Sequence, residues 1–158
     1  MRAAARRAGV SHNAPYRHFQ DRESLLAGLA AQGFSMLGEA LKNCSGKAMG
    51  AAYIRFALAH PERFRLMFGG SLDIGRHPAL GEAAQRAFRP VVDSFRPHAG
   101  EQQAQVAAAA AWSLVHGVSH LLLDGHFKQA QRDAGGVEAF VRQILDSVRY
   151  VLGAQRSA

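Results

Sequence analysis

The run Arg2-Ala3-Ala4-Ala5-Arg6-Arg7-Ala8-Gly9-Val10-Ser11-His12-Asn13-Ala14-Pro15-Tyr16-Arg17-His18-Phe19 reads as helix, tight turn, helix. Gly9 supplies the positive φ of a sharp turn, Val10 plugs the turn from below, and Ser11 caps the second helix by accepting from its free N–H groups. Pro15 lies near that helix's first turn, where a missing donor costs little. Ala5 is small where two helices approach, and Phe19, Leu25 and Leu26 close a small core.

In a unit of this spacing the second helix enters the major groove of DNA, its first residues reaching base edges while flanking groups clamp phosphates. The residue types suit that task. Asn13 can make a bidentate contact to adenine, His12 and Arg17 can reach guanine acceptors, and the Ala14 methyl can touch thymine. Ser11 stands at the helix start, and Tyr16, His18 and Arg22 are placed to hold phosphates. Charge agrees: five arginines face one acid, Asp21, within residues 1–22, more than half of the chain's formal charge of +7. A basic head on a nearly neutral body predicts a polyanion-binding end on a domain with another task.

Working outward, no segment alternates in the manner of a strand; apolar residues recur at three and four, so the chain is expected to be all-α. Asp21 is the natural N-cap of a helix from Arg22 to Cys44 with Leu26, Leu29, Ala30, Gly33, Leu37 and Leu41 on one stripe. A second helix runs through Tyr53, Phe56 and Leu58 until Pro61, which opens a short helix ending at Phe68 before Gly69 and Gly70. Pro78 starts another, expected to bend at Pro90. A long helix from Glu101 to Phe127 is apolar almost all round, which predicts burial. The last helix places Val137, Val141, Ile144, Val148 and Val151 on a heptad-like seam with a charged back, fitted to another helix or another subunit.

Composition narrows the class. With 158 residues, 48% hydrophobic and 20% charged, the chain has the makeup of a globular protein rather than a disordered or repetitive one. Its one cysteine, Cys44, cannot pair within the chain. That thiol, the lack of a charged-then-apolar leader and apolar runs shorter than the roughly 20 residues of a span predict a cytoplasmic protein outside the membrane.

The stretch from Ala5 to Leu26, with its Tyr16-Arg17-His18-Phe19 core, resembles the recognition region of TetR-type transcriptional repressors. The resemblance implies that Tyr16, His18 and Arg22 contact phosphates. His60-Pro61-Glu62-Arg63-Phe64-Arg65-Leu66-Met67-Phe68 and the trio Trp112, His116 and Gly117 are similar to the C-terminal signatures of the family's Trp-His-Gly branch. The resemblance further implies a repressor, homodimeric through its last two long helices, that leaves a palindromic operator when a small apolar or aromatic effector fills a cavity. Family members carry one more helix ahead of this segment. The chain is therefore read as a head shortened at its N-terminus, or as one whose start lies upstream. The expected division is a helix-turn-helix domain over 1–40, truncated at its N-terminus, and a ligand-binding and dimerisation domain over 41–158.

Candidate pocket residues are Phe56, Phe64, Met67, Phe68, Phe88 and Trp112, with His116 and His120 as polar handles, although such aromatics are more often plain core. Candidate interface residues are Leu114, Val118 and Leu121 with Val137, Val141, Ile144, Val148 and Val151. His116, His120 and Asp124 share a helix face at a spacing that can hold a metal, but no further ligands complete a shell, so no metal or cofactor is expected. Activated nucleophile, paired acids and Gly-rich phosphate loop are all missing, so an enzyme is not expected. The alternative to a repressor is a small-molecule-binding or dimerisation module without a working DNA head.

Overall fold

Asp21 starts the first helix as its side chain suggests: the carboxylate accepts from the Ser24 amide at 2.7 Å and fills one of the orphan donors of the first turn. That hydrogen bond is also the main reason the Asp21 carboxyl titrates below its usual range. The computed structural model describes residues 6, 7, 9, 11 and 19–151, with side chains through residue 148. Among them are six α-helices and no strand.

Helix α1 runs Arg22–Leu41 and α2 Gly46–Ala59. The first is shorter than its stripe predicts, because Lys42 leaves the helix in an extended conformation and Asn43 turns at φ 64°. Helix α3, Pro61–Phe68, has proline in its first turn and stops at Gly69, as the sequence predicts. A 3₁₀ turn, Ile74–Arg76, is capped by Asp73, whose carboxylate accepts from the Gly75 amide at 2.9 Å.

Helix α4 spans Pro78–Leu123 in two segments, which meet at Gly100 where the sequence separates them. Backbone angles stay helical through Pro90 and break at Gly100, at φ 73° and ψ 168°. An L-residue rarely takes such angles, so glycine rather than proline decides where this rod interrupts. The helix also ends four residues short of Phe127, since Gly125 turns the chain at φ 80°. Helices α5, Lys128–Asp133, and α6, Val137–Val151, complete the chain.

Helix α1 lies across α3 and α4, and α2 is held between α4 and α6. Phe64 and Ile54 are fully buried, and Leu41 and Tyr53 nearly so. The α1–α3 crossing depends on Gly33, where an added Cβ would lie 2.5 Å from Met67 Sδ. On the far side, Lys47 pairs with Asp146 at 2.5 Å and Arg55 with Glu138 at 3.0 Å, clasping α2 to α6 through exposed charges.

One expectation fails plainly. The second half of α4 buries Ala104, Ala108, Val115, Val118 and Leu122 but leaves Val106 64% and Leu121 40% exposed. Only one side of that rod meets its own chain. By length and composition α4 could cross a membrane, one window reaching a mean hydropathy of 1.5 with 22% of it buried. Counting uninterrupted apolar runs misses this, because alanine, glycine and serine spread the hydropathy over many turns.

Candidate ligand cavity

Because α1 crosses α3 and α4 without filling the angle between them, a cavity of about 490 Å³ remains, reaching from the core to an open side at Gly46, Ile74 and Gln85, which are exposed. Phe34, Leu37 and Leu41 of α1 form one wall, and Met49 and Tyr53 of α2 another. Met67 and Phe68 come from α3, Leu72 and Ile74 from the loop after it. The first half of α4 contributes Leu80, Ala84, Phe88, Val91 and Phe95, and Trp112 and Val115 close the far end. Trp112 stacks near Phe68 and Phe88, with ring centroids 6.0 and 5.7 Å away, the second pair edge to face. The volume lies in the usual range for a small-molecule site, and the lining is mostly apolar.

A short polar chain runs behind one wall. Trp112 Nε1 donates to Tyr53 Oη at 3.0 Å, and Tyr53 Oη lies 2.8 Å from His116 Nδ1. Indole N–H can only donate, so the tyrosine hydrogen is left for the imidazole, which assigns His116 the tautomer protonated on Nε2. Burial raises Tyr53 far above the ordinary phenol range, against a smaller downward effect of the Trp112 hydrogen bond. Burial also lowers His116, helped by the neighbouring His120, whose ring centroid is 4.7 Å away.

Of the candidate pocket residues, Met67, Phe68, Phe88 and Trp112 line the cavity and Phe56, Phe64, His116 and His120 do not. Phe64 is 0% exposed and packs against both histidine rings, at 5.4 and 5.3 Å, while Phe56 faces His60 at 5.1 Å. The histidines therefore bond and pack inward rather than offering themselves to the void. Unforeseen lining comes from α1, from Tyr53 and from Leu72 and Ile74. Leu37 and Leu41 were legible as part of an apolar stripe and Phe34 was not, and nothing in the stripe marks a void opposite.

Asp124, the third residue of the possible metal face, lies 3.7 Å from Arg65, and no group of three or more His, Cys, Asp or Glu among the described residues could hold a metal. Of the candidate DNA-contacting residues, Ser11 and Arg22 are exposed; His12, Asn13, Ala14, Tyr16, Arg17 and His18 lie outside the described residues. Phe19 anchors this end of the chain on α1, its Cε1 so close to Gly28 that an added Cβ there would sit 2.9 Å away. Of the candidate interface residues, Leu121 is exposed, and Leu114, Val137, Ile144 and Val148 are half-buried. Val118 and Val141 are spent on the chain's own core, and the side chain of Val151 lies outside the described residues.

The described residues thus form an all-helical body with an apolar cavity between its crossing helices. Residues 47–148 match the family described as "Tetracyclin repressor-like, C-terminal domain", and the chain belongs to that family. It is similar to the solved structure of a protein with unknown function from Rhodococcus sp. RHA1, at 32% identity and a TM-score of 0.70 over 92% of this chain and 80% of that one. It is also similar to the crystal structure of a candidate regulatory protein, SCO4313, at 25% identity and a TM-score of 0.70 over 92% of this chain and 82% of the other. No curated protein matches the chain.

Proposed function

We propose that the protein is a ligand-responsive transcriptional repressor. It binds palindromic operator DNA as a homodimer and lets go when a small apolar or aromatic molecule enters the cavity. The observation that carries this reading is the double use of α1. The helix begins at Arg22, directly after the basic segment, and about twelve residues on, roughly 18 Å along its axis, it gives Phe34, Leu37 and Leu41 to the cavity wall. A molecule lodged against that wall pushes on the rod that carries the reader.

A second link runs through the loop after α3. Leu72 and Ile74 of this loop line the cavity, while Arg76 Nη1 lies 3.2 Å from Glu23 Oε2 and His77 Nε2 3.2 Å from Glu23 Oε1, in the first turn of α1. Filling the cavity selects a body shape in which the spacing of the two heads no longer fits the DNA. The proposed boundary between domains 1–40 and 41–158 falls at the end of this shared helix.

Dimerisation is proposed through the open side of α4 beyond Gly100, around Val106, Leu114 and Leu121, together with the half-buried seam of α6. Exposed apolar area of this kind on a water-soluble chain is ordinarily covered. The reading needs neither metal nor cofactor and assigns no catalytic residue. The direct test is footprinting on the DNA that flanks the gene. Two protected half-sites about 34–36 Å apart are expected, with protection falling as salt rises; no specific protection removes the reading.

A further inference from the structure

We propose that the cavity selects its ligand by charge: it takes an uncharged, mostly hydrocarbon molecule and rejects carboxylate and ammonium molecules of the same length. This rests on the cavity being a ligand site and deepens that reading. Among the described residues, its lining contains no Asp, Glu, Lys, Arg or His. A charge carried inward would therefore meet no countercharge, and burying an unpaired ion is far costlier than burying a hydroxyl.

Three of the four polar side chains that reach the lining are already engaged. Trp112 gives its N–H to Tyr53, Tyr53 faces His116, and the Ser94 hydroxyl donates to the Val91 carbonyl at 2.7 Å. The Gln85 amide, on an exposed residue at the edge of the lining, stays open and can both donate and accept. Nearby cations on α4 are paired along the helix, Arg86 with Glu82 at 3.4 Å and Arg89 with Asp93 at 3.9 Å. Burial works against both signs here: it disfavours an anion at Tyr53 in the wall and a cation at His116 behind it. The start of α2, where Gly46 borders the cavity, also favours an anion, but that residue is exposed, so water screens its partial charge.

Trp112 is the chain's single tryptophan and lies in the lining, so its fluorescence reports occupancy without any DNA present. The experiment titrates the whole protein near neutral pH with decanol, decanoate and decylamine in turn. Decanol is expected to give a saturable change, and the two charged molecules to bind about tenfold or more weakly. Decanoate or decylamine binding within about threefold of decanol overturns the proposal, and so does decanol without a saturable signal. Gln85→Lys, on an exposed residue, is expected to raise decanoate relative to decanol by about fivefold; an unchanged ratio also overturns it. Failure here leaves operator footprinting untouched, so it is distinguishable from failure of the repressor reading.

Discussion

The two halves of α4 are both apolar and end up with opposite neighbours. Before Gly100, the side chains of Phe88, Val91 and Phe95 look across a cavity at α1 and the loop after α3. Beyond it, Val106 and Leu121 look out of the chain altogether, while Val115 and Val118 on the other side are buried. The left-handed backbone at Gly100 separates the two. Hydropathy alone therefore does not say whether an apolar surface will meet its own core, a ligand or a second molecule. That depends on which side of the rod the rest of the chain can reach.

The sharpest way to break this contrast is to place the same charge on both sides of one helix. Val115→Asp puts a carboxylate where the residue is 9% exposed and Gly50 lies close by, and is expected to cost about 3–5 kcal/mol in urea denaturation. Val106→Asp, at 64% exposure, is expected to change folding of the single chain by less than about 0.5 kcal/mol. If the proposed homodimer forms through this face, its effect belongs in sedimentation equilibrium, as a shift from dimer toward monomer. Equal losses in the two variants would erase the distinction between the faces.

Gly33→Ala tests the cavity side with a smaller effect. The new methyl collides with Met67 Sδ and approaches Arg63 Cγ to 3.0 Å. Methionine is flexible, and its free direction is into the cavity that it lines. A loss of about 1–3 kcal/mol is expected, with weaker decanol binding by Trp112 fluorescence. Unchanged binding would mean that the α1–α3 crossing yields as a unit.

These positions also show what sequence could carry. Asp21 as a cap and Pro61–Phe68 as a short helix were legible because each depends on residues within one turn. The break of α4 was legible, since Gly100 turns at φ 73° just ahead of Glu101, where the sequence starts a new helix; the bend expected at Pro90 is not found, because the backbone stays helical there. The cavity was legible in kind but not in outline. Phe64 and Phe68 are the same residue type four positions apart, and only packing makes the first core and the second wall. His116 looked like a polar handle because its partner Tyr53 is 63 residues away, beyond any local pattern.

The polar chain behind the wall supplies the smallest and most specific effect. Tyr53→Phe keeps the ring but removes the acceptor of the Trp112 N–H and the partner of His116, for an expected loss of about 1–2 kcal/mol. The pH dependence has a fixed sign. His116 titrates lower in the folded chain than its ordinary value, first through burial and then through His120, so the unfolded chain binds the proton more readily. Stability from this residue is complete above the ordinary histidine pKa of about 6.5 and is lost as pH falls below it. In urea denaturation between about pH 5 and 7, His116→Gln is expected to flatten the rise of stability with pH by at most about one proton. A slope unchanged by the substitution would mean that His116 is not held neutral behind Tyr53, and that its burial tolerates a cation.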